Sequence, residues 1–266
     1  HGYDGDNPWN DWANSADGEN GEILSGWRLR NSNKAARIPE KHSETAFMTN
    51  RAMEFIEESG EKPWFLHLSY IKPHWPYMAP APYHNMYSAN EFYPVHRNDM
   101  ERNNNHPVYK AFMKNSISKT FSKDEVRNTV LSGYMGLIKQ IDDNLGRLFK
   151  FLENNGHMDD TMIVFVSDHG DYQGDHWLGE KELFHEQAVR VPMIIYDPRE
   201  NANKTRGFKE NRFVEAIDLL PTFLDAVESP VSRHRLEGSS LIPIIKGESP
   251  KDWKNFVFSE IDYSFN

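Results

Sequence analysis

The sequence predicts an α/β fold, a mostly parallel sheet flanked by helices on both faces. Three observations carry that expectation. Residues 161–166, Thr-Met-Ile-Val-Phe-Val, run without a polar break, the pattern of a parallel strand buried on both faces. Residues 125–155 carry one apolar stripe at helical spacing: Leu131, Tyr134, Leu137, Ile138, Ile141, Leu145, Leu148, Phe149 and Leu152. Strand-like and helix-like segments alternate along the chain, the order that layers helices over a parallel sheet.

The elements follow in order. Residues 1–40 are polar, rich in Gly, Asn and Trp, and lack periodicity, so an irregular arm is expected. A helix is expected from Ser43, because Ala46, Phe47, Ala52, Phe55 and Ile56 recur at roughly helical spacing and Gly60 stands where a stop belongs. Residues 63–70, Pro-Trp-Phe-Leu-His-Leu-Ser-Tyr, are dense in strand formers and predict a buried strand, with His67 a satisfied core histidine. Five prolines from Pro73 to Pro94 then impose an irregular loop. Residues 94–124 are polar and predict an insertion over one face. The helix over 125–155 comes next, stopped by Gly156. Beyond the strand at 161–166, residues 192–196 predict another. Residues 213–227 predict a strand end and a helix with Pro221 in its first turn, and residues 257–260 begin one more strand.

Composition narrows the function. Of 266 residues, 38% are hydrophobic and 13% aromatic, enough for a substantial core. The formal net charge of −10 argues against nonspecific nucleic-acid binding. An acidic chain that handles anions has to gather positive charge locally, through a metal, lysine or arginine. There is no cysteine, which excludes disulfides, thiolate-bound zinc and a cysteine nucleophile within these residues. No stretch approaches the roughly 18 apolar residues of a membrane helix, so no membrane partner is expected. The compartment is left open between periplasmic or secreted and cytoplasmic.

The chemistry concentrates behind the strand at 161–166. Ser167-Asp168-His169-Gly170-Asp171-Tyr172-Gln173-Gly174-Asp175-His176 places a carboxylate and an imidazole at the tip of a rigid element, with Gly170 free to turn sharply. Asp beside His suits a divalent metal, offering a hard oxygen and a borderline nitrogen. The same residues could cap a helix or bond to each other. His169, Asp171, Asp175, His176 and His185 fall within seventeen residues, and spacing does not say which of them converge. Taken alone, Lys181 reads as a solvated lysine and His74 as a loop histidine. Arg190, four residues after Glu186, reads as a structural ion pair.

Four segments, in order, resemble the sulfatases and phosphonate monoester hydrolases of the alkaline-phosphatase-like superfamily. Residues 164–198, VFVSDHGDYQGDHWLGEKELFHEQAVRVPMIIYDP, resemble the metal-ligand and lysine segment. Residues 63–82, PWFLHLSYIKPHWPYMAPAP, resemble the catalytic-histidine segment, residues 216–224 (AIDLLPTFL) a late helix, and residues 236–247 (LEGSSLIPIIKG) a G-x-S-L-x-P element. The resemblance implies an alkaline-phosphatase-like fold that hydrolyses sulfate monoesters or phosphonate and phosphate esters. Asp168 and His169 then fall on a pair of metal ligands, Lys181 on the lysine that contacts the transferred group, and His74 on the histidine near the leaving oxygen. Asp175, His176 and His185 are candidates for substrate contact or for orienting the ligands.

The implied cofactor is a divalent ion, Ca²⁺ or Mn²⁺ first, with Zn²⁺ or Mg²⁺ as alternatives. The implied partner is a small anionic ester, with self-association left open. The C/S-x-P-S-R-type nucleophile motif of the family, a formylglycine precursor or a Ser or Thr, does not occur in these residues. The expectation is therefore an incomplete domain: nucleophile upstream, small carboxyl-terminal subdomain missing, weak metal affinity and little hydrolysis by this chain alone. Two other classes compete. One is a non-catalytic anion- or metal-binding protein that retains the fold; the other is an unrelated metallohydrolase built on His169, His176 and His185.

Overall fold

The structure is a computed structural model that describes residues 31–103, 106–230 and 233–261. Most of the expected arm over 1–40 lies outside the described residues. The chain divides into two compact units, His1–Asn155 with His169–Arg190, and Gly156–Asp168 with Val191–Asn266.

The first unit is helical. α1 (Glu44–Ser59) begins where Ser43 Oγ accepts the Ala46 amide at 3.2 Å and ends at Gly60, whose φ of 57° suits a residue without a side chain. The polar stretch read as an insertion folds into α2 (Asp99–Asn103), α3 (Pro107–Lys114) and α4 (Ser116–Phe121). α5 (Asp124–Asn154) is the long helix that its stripe predicts, and Gly156 follows with a φ of 74°. A short α6 (Glu186–Val189) closes the unit, with the exposed Arg190–Glu186 ion pair at 2.9 Å.

The core lies along α5, where Val126 and Val130 pack with Phe121 of α4 and Tyr77 of the proline-rich loop. Each such apolar side chain stabilises the fold by about 1.5–3 kcal/mol relative to exposure. Polar groups key α1 to α5 as well, since buried Gln140 donates to Ser43 Oγ at 2.7 Å. Ile138 departs from the stripe and is exposed.

The second unit holds β1 (Ile163–Val166), β2 (Met193–Tyr196), α7 (Leu219–Ala226) and α8 (Ile242–Ile245). Pro221 sits in the first turn of α7, as expected. Asp218, fully buried, accepts the Ser239 and Glu215 amides and the Lys254 ammonium, each at 2.8 Å.

The sheet differs from expectation. Among the described residues there is one two-stranded pair, and it is antiparallel, with Ile163 opposite Tyr196 and Val166 opposite Met193. A parallel return needs a long crossover, usually a helix. The residues between β1 and β2 are instead spent on a wound loop and the single turn of α6. β1 is half-buried rather than covered on both faces, and Phe165 is 37% exposed.

Residues 63–70 form no strand among the described residues. Exposed and half-buried positions alternate along them, so His67 is exposed and is not a core histidine. Residues 257–260 are exposed and likewise form no strand. No helix of the described residues is long and apolar enough to cross a membrane.

Candidate active site

Two notches in α5 seat the loop that carries His74. A Cβ on Gly133 would stand 2.1 Å from the Tyr77 carbonyl oxygen, and one on Gly136 2.3 Å from that of Tyr83. Only glycine lets the loop backbone lie this close to the helix. Lys72, 7% exposed, reaches into the same loop, where its Nζ donates to the carbonyls of His74 at 3.2 Å and Pro76 at 3.3 Å. Burial pulls its pKa down to about 7, and Glu44 counteracts this in part.

His74 Nδ1 lies 2.7 Å from the Trp75 carbonyl oxygen. A carbonyl only accepts, so Nδ1 carries the proton, and the Nε2 lone pair is the group left for chemistry in the neutral ring. The residue as a whole is exposed, yet its pKa is lowered. Burial of the ring is the largest cause, outweighing the lift from the Trp75 bond, and the positive charges of Lys181, Lys72 and His169 add to it. Positive charge on Lys181 and His169, which the sequence singles out, and on Lys72 thus bears on His74.

The second loop is bound as tightly. His169 Nδ1 lies 2.7 Å from the Gly170 carbonyl oxygen. The Gly170 amide donates to Ala188 O at 2.8 Å, and a Cβ there would fall 1.9 Å from Gln187 O. Asp171 Oδ2 accepts the Tyr77 hydroxyl at 2.6 Å and Oδ1 the Gln173 amide at 3.1 Å. Burial holds the Asp171 carboxyl up at about 6. Glu180 is pushed up to about 7, by burial first and then by its hydrogen bond to Glu182. Gln173, His176, Trp177 and Glu180 all have positive φ, between 46° and 64°. Side chains adopt that conformation at a cost, and such residues gather where a loop is held for function.

Asp175, His176 and His185 belong to a network with partners of its own. His176 Nδ1 lies 2.9 Å from Glu101 Oε1, its ring stacks on that of His185 at 4.1 Å, and His185 Nδ1 lies 2.9 Å from the Tyr172 hydroxyl. Asp175 accepts the His96 amide at 2.9 Å and the Gln187 amide group at 3.1 Å. These bonds tie α2 to the 172–187 loop. They do not assemble the metal centre of His169, His176 and His185 that the competing metallohydrolase would need. Among the described residues no three His, Asp or Glu side chains converge on a common point.

Asp168 and His169, the expected ligand pair, are consecutive in sequence. Sequence reasoning passed over Lys72 and Glu180, and left Tyr77 open between walling a substrate pocket and packing the loop. The signal for Lys72 was its place two residues before His74 in a proline-bound loop, where a long side chain has little room to leave.

The Sulfatase family model matches residues 2–229. A multifunctional alkaline phosphatase superfamily protein of Trinickia caryophylli is 35% identical over 245 residues, which cover 87% of this chain and 47% of the relative. An arylsulfatase of Clostridium perfringens is 29% identical over 217 residues, covering 81% of this chain and 44% of the relative. The solved phosphonate monoester hydrolase of Silicibacter pomeroyi superposes with a TM-score of 0.75 at 32% identity, covering 84% of this chain and 45% of that one. The chain thus spans about half the length of the relatives it matches. By its family match and its similarity to these proteins, the chain belongs to the Sulfatase family within the alkaline-phosphatase-like superfamily.

Proposed function

We propose that this chain carries the anion-binding and leaving-group side of an active site that hydrolyses sulfate monoesters or phosphonate and phosphate esters. The observation that supports the reading is that Tyr77 bonds the loop of Lys72 and His74 to the loop of His169 and Asp171, with positive charge from Lys181, Lys72 and His169 felt at His74, in a chain of net charge −10. Lys72 and Lys181 offset the charge on the nonbridging oxygens, which otherwise repels an incoming nucleophile. His74 holds one proton at Nδ1 against Trp75. Binding of an anion beside the neighbouring cations raises the affinity of Nε2 for a second proton. As the bond from sulfur or phosphorus to the ester oxygen breaks, Nε2 delivers that proton to the departing oxygen. The attacking nucleophile comes from outside the residues of this site. Asp168 and His169 would hold a divalent ion, which when bound supplies further positive charge at the transferred group.

Calorimetry with inorganic sulfate and with phenylphosphonate tests the reading, run in buffers of different ionisation enthalpy so that proton uptake is read as well. Lys181→Ala is expected to weaken binding by about tenfold or more, the scale of a lost charge-assisted contact. His74→Ala is expected to bind within a few-fold of the parent and to lose the proton uptake. Equal affinity and equal proton uptake in all three proteins would sink the proposal.

A further inference from the structure

The two loops of the candidate site are far apart in sequence, and a hydrogen bond joins them. Tyr77 donates its hydroxyl to Asp171 Oδ2 at 2.6 Å across 94 residues. Tyr77 stands three residues after His74, and Asp171 two residues after His169.

Both ends of the bond are immobilised. The Tyr77 ring is 2% exposed and is held edge-on by Phe121, with centroids 6.1 Å apart, and by Tyr134 at 5.9 Å. Its carbonyl lies against Gly133, and the preceding carbonyl accepts from Lys72. On the other side, Asp171 follows a peptide already bound through the Gly170 amide and carbonyl, and its second oxygen accepts the Gln173 amide. The phenol has a fixed origin and the carboxylate a fixed address.

We propose that Tyr77 and Asp171 are a positioning pair, which fixes the His74 loop relative to the His169 loop so that both meet one anionic ester. This inference rests on the preceding reading of the site. Neither residue touches the reacting atoms. A second tyrosine on the same loop provides the control, because Tyr83 donates to Asp143 Oδ2 at 3.0 Å on α5 and joins no site loop. A merely structural role makes Tyr77→Phe and Tyr83→Phe equivalent.

The chain contains no cysteine, so paired spin labels can be placed cleanly at Ile71→Cys and Phe184→Cys, both exposed and one on each loop. Pulsed electron spin resonance then reads the distance between the loops, and calorimetry reads affinity for inorganic sulfate. The expected result is a broadened distance distribution and about tenfold weaker sulfate binding in Tyr77→Phe, with neither change in Tyr83→Phe. Asp171→Asn keeps an acceptor for the phenol and is expected to restore the narrow distribution, whereas Asp171→Ala is not. A distance distribution in Tyr77→Phe as narrow as in Tyr83→Phe overturns the positioning pair. Failure of the parent chain to bind sulfate overturns the reading of the site instead, and the distances still decide whether Tyr77 and Asp171 hold the loops together.

Discussion

Replacing Lys72 by methionine isolates the cost of burying an ammonium group. The native pKa of Lys72 is about 7 against an ordinary 10.5, because burial disfavours the charged form. The native state therefore gives up the proton more readily than the unfolded chain. Between pH 7 and 10.5 the unfolded chain binds more protons, so stability rises with pH through that window. Below pH 7 both states are protonated and the full penalty, on the order of 5 kcal/mol at about 1.4 kcal/mol per pKa unit, is present.

Lys72→Met removes the penalty but also deprives two carbonyls of a donor, at about 1 kcal/mol each. The variant is thus expected to be more stable than the parent at pH 7 by about 2 kcal/mol, and the two to converge at pH 9 as about 2 kcal/mol of the penalty disappears from the parent. Urea unfolding of both proteins at pH 7, 8 and 9 gives the comparison. The shared titrations of His185 and Glu180 cancel in the difference. Parallel stability curves, with a constant gap from pH 7 to 9, would refute the argument that Lys72 is buried at the expense of its charge.

Two further outcomes are expected. Gly133→Ala drives a methyl group into the Tyr77 carbonyl, so it should cost about 1–3 kcal/mol in thermal or urea unfolding and shift the amide resonances of residues 72–83; unchanged resonances there would show that the notch does not seat the loop. Adding Ca²⁺ or Mn²⁺ should perturb the His169 ring resonances in the parent and much less in Asp168→Ala; equal response in both would remove Asp168 from the ligand pair.

What the sequence disclosed follows the range of the forces involved. α1 and α5 were legible because a cap at Ser43, a stop at Gly60 and a stripe of apolar residues act within a few turns. α2, α3 and α4 were not, because short helices draw their stability from tertiary contacts, here Phe121 against Val126 and Val130. Strand formers at 63–70 and 257–260 pointed to strands that do not form, because pairing depends on a neighbour that no local pattern names. In the site, the Asp168-His169 tip and Lys181 stood out through their resemblance to a family. Lys72 did not stand out, because its burial is decided by glycines on a helix some sixty residues later. His176 and His185, candidates for substrate contact or for orienting the ligands, bond to Glu101, Gln187 and Tyr172, partners that no local pattern names.

The division of the chain into two units has a consequence for how the protein is made. The unit that holds His74 is assembled from two stretches, and the strand β1 of the other unit is threaded between them in sequence. A nascent chain emerging amino end first can form α1 and α5 early, but the loop seated on α5 stays without its Asp171 partner until the ribosome has passed β1. The Tyr77 hydroxyl must wait for a residue 94 positions away, at the loop-closure cost that so long a separation carries. During that interval Tyr109, Phe112 and Met113 of α3, which pack against Tyr172, Leu178 and Ala188, stand open to solvent and to other chains. The site is among the last parts of its unit to come into being, and the rate of translation across residues 156–190 governs how long the vulnerable form persists.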